Sequence, residues 1–90
     1  MELRDTIELM NSDDYKERFK AEYHQTKIRY EKLKDFNTRI EAANATAYSC
    51  NLVEMPKHDC PDMLLRDQQG IMGEYLHILE VRAKIERIEL

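Results

Sequence analysis

Glycine and proline are almost missing from this chain. Two of each stand among 90 residues, and tryptophan is absent. So few breakers leave little room for the corners that a β-sandwich or a small barrel needs, and the sequence is read as all-α. Long apolar runs are missing as well. Nothing approaches the ~20 consecutive apolar residues of a membrane-spanning helix, so no membrane is expected. The start Met1-Glu-Leu-Arg-Asp has no apolar stretch of the kind a secretory signal carries. The expected location is therefore the cytoplasm, where the only two cysteines, Cys50 and Cys60, stay reduced.

What the chain does have is charge and aliphatic surface in helix-forming proportions. Charged residues make up 36% and hydrophobic ones 42%, too apolar for a disordered chain. Ninety residues make a single domain, residues 1–90. A chain this short buries only roughly 60–65% of the surface its unfolded form exposes, so it needs a staple: a disulfide, a metal or a partner. The net charge of −4 is unevenly spread. Residues 1–15 sum to −4 and residues 16–34 to +4, while 35–61 and 62–90 each sum to −2. An acidic end followed by a basic stretch points to head-to-tail association or a local anion site, against the plainer reading of a solvated helix.

Periodicity divides the domain into four segments. Residues 1–11 place Leu3, Ile7 and Met10 on one face of a short helix, which must dock on a neighbour or fray. In the segment 12–45, Asn11-Ser12-Asp13-Asp14 is a start signal, with Ser12 the expected cap. Tyr15, Phe19, Tyr23, Thr26, Tyr30, Leu33, Asn37, Ile40 and Asn44 then follow at alternating spacings of three and four, the repeat of a packed seam. This predicts a helix from about residue 13 to about residue 45, roughly 48 Å at 1.5 Å per residue. Polar Asn37 and Asn44 within the seam would fix its register, or else the helix frays past Ile40, where Ala-Asn-Ala-Thr-Ala-Tyr-Ser loses the pattern. Residues 46–60 are the connection, closed by Met55-Pro56 and Cys60-Pro61. In 61–90 a second helix is predicted from about Pro61 to about Ile88, with Pro61 in its first turn and Cys60 or Asp59 capping. Gly70 and Gly73 mark either a close helix approach or a tolerated weak spot.

The apolar residues of the second helix cover more than the one stripe a two-helix seam would use. An antiparallel hairpin with a short N-terminal helix would leave much of that surface wet, so assembly into a helical-bundle homo-oligomer is expected. The residues nominated for the oligomer interface are Leu65, Met72, Tyr75, Leu76, Leu79 and Ile85.

Candidate chemistry is sparse. Cys50, His58 and Cys60 are the only soft-ligand cluster, but C-x7-H-x-C lacks paired zinc spacing and a fourth ligand, so neither metal nor other cofactor is expected. No nucleophile has an orienting partner, and paired carboxylates such as Asp13/Asp14 fall at helix ends; the chain is not read as an enzyme. His77 lies beside the apolar stripe as an interface histidine. The basic, tyrosine-bearing part of the first helix is the leading ligand site: in a pocket between subunits, Lys16, Lys20, Tyr23, Lys27 and Tyr30 could hold a nucleotide or other anion, with rings for a base and ammonium groups for phosphate. The plainer alternative makes the tyrosines seam packing with lysine stems lying over them. Long duplex nucleic acid fits poorly with an acidic chain that has no reading motif.

The stretches Asp14-Tyr-Lys-Glu-Arg-Phe-Lys-Ala-Glu-Tyr23 and Lys27-Ile-Arg-Tyr-Glu-Lys-Leu33 resemble the opening of small phage and prophage proteins of gut bacteria. Cys60-Pro61, Leu64-Leu65-Arg66-Asp-Gln-Gln69, Met72-Gly-Glu-Tyr-Leu76, Leu79-Glu-Val-Arg-Ala83 and Ile85-Glu86 extend the likeness to the helical-hairpin family first noted in crAss-like phages. It covers roughly residues 12–90, and residues 42–59 look like an insertion relative to shorter members. The resemblance implies a phage origin, a helical hairpin, and no catalytic residues.

The expected function is that of a non-enzymatic phage accessory protein in the infected host cell's cytoplasm. It would oligomerise and inhibit a host process such as antiphage defence. Two mechanisms fit: docking on a host defence protein, as an anti-CRISPR does, or sequestering a small signalling nucleotide. The alternative is a phage structural or regulatory adaptor with a phage-encoded partner.

Overall fold

Three α-helices follow one another along the chain: α1 (Ile7–Met10), α2 (Tyr15–Ala45) and α3 (Asp62–Glu86), with a 3₁₀ turn at Leu3–Thr6 leading into the first. The computed structural model describes all 90 residues as an antiparallel hairpin of α2 and α3, 54 Å in its long dimension. The starting residue of α2 differs from expectation. Asp14, not Ser12, is the cap: its carboxylate accepts the Lys16 backbone N–H at 3.0 Å. Ser12 acts one step earlier, its hydroxyl accepting the Asp14 N–H at 3.0 Å. Both oxygens satisfy N–H groups that the first helical turn leaves without partners.

The three–four spacing on α2 buries Phe19, Tyr23, Asn37 and Ile40. Phe19 and Tyr23 join Leu76, Leu79 and Ala83 of α3, and Ile88 beyond it, in one core cluster with Tyr30 packed against it. Asn37 is buried in the seam and donates through Nδ2 to the Leu65 carbonyl at 3.1 Å and to Gln69 Oε1 at 2.9 Å. Those two bonds pin one register of α2 against α3. Asn44, the second asparagine of the seam, is exposed and lies beside Asp62 at the start of α3.

Of the two glycines, one marks a close approach and one does not. A Cβ on Gly73 would lie 3.2 Å from the Tyr30 ring, whereas a Cβ on Gly70 would meet nothing within 4 Å. Pro61 is the N-cap of α3 rather than its first helical residue; its own carbonyl takes the N–H groups of Leu64 (3.1 Å) and Leu65 (3.3 Å). At the far end the helix stops at Glu86, short of the expected Ile88. Arg87 turns into the left-handed region (φ 59, ψ 47), and the Ile88 N–H returns to the Ala83 carbonyl at 2.9 Å. This is the closing turn in which glycine is the usual residue; here the burial of Ile88 against the core holds an arginine in that conformation.

The first ten residues dock rather than fray, but through Thr6 and not through the expected face of Leu3, Ile7 and Met10, which stays exposed. Thr6 is fully buried against α2, where Gln25 donates to its hydroxyl at 2.9 Å. Ala21, one turn before Gln25 on the same face, is likewise fully buried. The connection also folds back on α2. The Thr46 hydroxyl accepts the Val53 N–H at 2.9 Å, and the His58 ring packs edge-on against Phe36, 5.8 Å between centroids. No helix is long and apolar enough to cross a membrane.

Candidate ligand-binding site

Lys16 and Lys20 stand on the first two turns of α2, four residues apart and thus on one face. Because α3 runs antiparallel, its last turn ends beside them. Lys84 and Arg87 complete a solvent-open cavity of about 620 Å³, whose walls include Ala83, Ile88 and the carboxylates of Asp14, Glu17 and Glu89. Four cations thus face three carboxylates, and Asp14 is already engaged as the helix cap. Arg87 lines the cavity from the left-handed turn that closes α3, and the same turn brings Ile88 back to the wall. Lysine and arginine near the last carbonyls of α3 also complement the negative end of that helix.

Within one chain, the five residues nominated from the sequence do not share a pocket. Lys16 and Lys20 line the cavity. Tyr23 is buried in the core, and its hydroxyl donates to Glu80 Oε2 at 2.7 Å. Burial and that bond push its phenol up to about 12. Tyr30 is half-buried and lies over Gly73. Neither ring offers a free face to a base, because the seam that the spacing predicts consumes both. Lys27 belongs to a second hollow of about 460 Å³ with Met1, His24, Ile28, Glu31 and Lys32. Its ammonium sits 5.8 Å from the Tyr23 ring centroid. Burial lowers the pKa of His24, and the positive charges of Lys27, the N-terminus and Lys20 lower it further. Lys20 lines the first cavity only, one helical turn from His24 of the second hollow.

Lys84 and Arg87 are the site residues that sequence reasoning missed. Their signal was there in part: an antiparallel hairpin starting near Asp14 and ending near Glu86 sets residues 83–88 opposite 16–20.

The oligomer nominees also divide. Leu76 (7% exposed) and Leu79 (0%) are interior to the hairpin and are unavailable to a second copy. Leu65 and Met72 lie half-buried on the same α2-facing side; only Tyr75 and Ile85 remain exposed. The physical reason is that α3 carries two apolar stripes, and the nominated set drew mainly on the inner one.

On the opposite flank, Tyr15 donates to Glu86 Oε1 at 2.9 Å, and Arg82 donates to both Glu86 (3.0 Å) and the Tyr15 hydroxyl (2.6 Å) while covering the Phe19 ring. Tyr75 donates to Glu22 at 2.6 Å. These are interhelical ties, with each phenol fixed by a carboxylate. In the connection, both ring nitrogens of His58 are engaged, Nδ1 with the Pro56 carbonyl at 2.8 Å and Nε2 with Asp62 at 2.6 Å. Cys50 and Cys60 are free and exposed. His77 is exposed, 3.9 Å from Glu80.

Compared with known families, residues 13–85 match the family model described as Sequestin, a span that takes in all of α2, the whole connection and all but the last residue of α3. No curated protein and no solved structure matches the chain.

Proposed function

The chain belongs to the Sequestin family, and on that premise we propose that it is a phage accessory protein that sequesters a small phosphate-bearing ligand, a signalling nucleotide of the host, without transforming it. The family's name denotes sequestration, the holding of a molecule out of circulation. The observation that carries the ligand class is the meeting of Lys16 and Lys20 with Lys84 and Arg87 around one cavity of about 620 Å³. Ammonium and guanidinium groups converging from two helices offer several charge-assisted bonds to phosphate oxygens, with arginine able to take two at once. The volume lies in the range of small-molecule sites. Removing a defence signal from solution in this way inhibits the host process downstream of it.

No group in the cavity has the orienting partner that acid–base or nucleophilic work requires, which is why the reading stops at binding. The protein works as an assembly of copies, since an isolated hairpin leaves a long apolar face in water.

The test is native mass spectrometry of protein purified from phage-infected, defence-active cells, followed by calorimetry with the nucleotide recovered. Wild-type protein should carry an added nucleotide mass and release it chemically intact. Lys20→Glu/Lys84→Glu should weaken binding at least about tenfold, whereas Lys27→Glu, which lies outside the cavity, should change it little. Equal loss from Lys27→Glu would move the site to the second hollow. Absence of any nucleotide, with a host protein recovered instead, would replace this reading by protein docking.

A further inference from the structure

Leu64, Ile71, Ile78 and Ile85 recur every seventh residue on the side of α3 turned away from α2. They are 57, 66, 55 and 74% exposed, whereas Leu76, Leu79 and Ala83 on the inner side are buried. The stripe runs roughly 32 Å, 21 residues at 1.5 Å each, and Met63 and Val81 widen it. A seven-residue apolar repeat is the pattern that one helix offers to another along its length. We propose that this face seats a second copy of the same chain, its α3 packed antiparallel against the first.

Two observations favour the chain's own copy over another helix. Only 11 of 90 residues are buried, and the core cluster holds six. A single chain of this size is marginal, and covering the stripe with its equivalent supplies the missing burial to both copies at once. The face is also complementary to itself in one direction. An antiparallel pair centred between Glu74 and Tyr75 sets Leu64 of each copy against Ile85 of the other, and Ile71 against Ile78. Asp67 of each copy then lies level with Arg82 of the other, whose guanidinium is already held by Glu86 and Tyr15 of its own chain, and only the two Glu74 carboxylates meet as like neighbours at the dyad. A parallel pair would stack Asp67 on Asp67 and Glu74 on Glu74 along the whole seam, at a cost in like-charge repulsion. The acidic flank at Asp67 and Glu74 equally disfavours an anionic lipid surface as the occupant.

The pairing deepens the assembly part of the proposed function and does not depend on the ligand; a dimer that binds no nucleotide would overturn only the sequestration reading. Analytical ultracentrifugation of ligand-free wild type should give a dimer, or an even-numbered oligomer built from it. Ile71→Glu/Ile78→Glu should weaken self-association at least about a hundredfold, tenfold or more for each aliphatic replaced by a charge that must be desolvated, with helicity by circular dichroism retained. A monomeric wild type, or a double variant that still dimerises, overturns the proposal. Should the charged variant unfold, register is read by cross-linking in a Cys50→Ser/Cys60→Ser background. Chains carrying Ile71→Cys should form disulfides when mixed with chains carrying Ile78→Cys and fail to do so alone. Efficient cross-linking of the Ile71→Cys chain with itself would sink the antiparallel arrangement.

Discussion

The Tyr23 hydroxyl and the Glu80 carboxylate meet at 2.7 Å across the two long helices, with the Tyr23 ring buried beneath them. A single side chain thus supplies core volume to the hairpin and a charge-assisted bond at its edge. Tyr23→Phe keeps the volume and loses the bond, and should lower the unfolding free energy by about 1–2 kcal/mol. Tyr23→Ala loses both, by about 3–5 kcal/mol. Urea denaturation read by circular dichroism separates the two; equal effects would show that the bond contributes nothing. Alkaline pH adds an independent check. The folded phenol holds its proton up to about 12, while an unfolded tyrosine releases it near ~10. The folded chain therefore binds more protons in that window, and stability falls as pH rises through it. Tyr23→Phe should remove that part of the decline.

Gly70 and Gly73 sit one turn apart on α3, yet alanine should affect them differently. At Gly70 a methyl meets nothing within 4 Å, so Gly70→Ala should stabilise by about 0.8–1 kcal/mol through helix propensity alone. At Gly73 the same methyl arrives 3.2 Å from the Tyr30 ring, which must shift by a few tenths of an ångström. Gly73→Ala should gain clearly less than Gly70→Ala or turn destabilising. Thermal melts of the two variants side by side decide this, and identical gains would mean that the ring yields freely.

Arg87 holds the left-handed closing turn of α3 without being glycine. Arg87→Gly should raise stability by about 0.5–1 kcal/mol, the relief of a strained φ reduced by glycine's greater unfolded freedom. It also removes a cation from the cavity, so phosphate-bearing ligands should bind several-fold more weakly. A variant that melts higher and binds less would show strain retained where a charge is wanted. Unchanged binding would remove Arg87 from the site.

The connection is clasped by His58 and Asp62, and the clasp should depend on pH. Hydrogen bonds to the Pro56 carbonyl and to Asp62 hold the imidazole above its ordinary value. Its contribution is therefore full below the unfolded histidine value near ~6.5 and is lost as pH rises through the raised one. The His58 bond in turn holds Asp62 below the ordinary carboxylate range. That share is present above the unfolded aspartate value and is lost as pH falls through the lowered one. The two together make the clasp firmest at mildly acidic pH. The protection of the Val53 amide against hydrogen exchange, taken relative to its intrinsic base-catalysed rate, should fall on going from there to alkaline pH, and His58→Ala should flatten that profile.

The hairpin was legible from the sequence because its determinants are local. Alternating spacings from Tyr15 to Ile40, acids at Asp13 and Asp14, and Pro61 each act within a few residues. Caps were misplaced by one or two positions, since Ser12, Asp14, Cys60 and Pro61 all suit a helix start and only the backbone path chooses among them. The site was half legible. Lys16 and Lys20 could be found on one helix, but Lys84 and Arg87 join them only through antiparallel pairing over more than sixty residues of chain. The tyrosines were drawn into the site on their chemistry, while their own spacing placed them in the seam. The surplus apolar face of α3 was visible in composition. Which isoleucines face outward depends on the inner register, which Asn37 fixes through Leu65 and Gln69.

Hairpins are covalently closed at one end only, and here the connection lies at the end opposite the cavity. Lys16 and Lys20 stand where α2 begins, and Lys84 and Arg87 where α3 stops, so the cavity spans the two tips that no chain link holds together. A molecule gripped from both sides would act as a reversible cross-link, closing a loop of nearly the whole chain and adding to the ties that Tyr15, Arg82 and Glu86 already make between the two tips. On the proposed reading, cargo and clamp would be the same object: capture would tighten the ends, and release would require them to part.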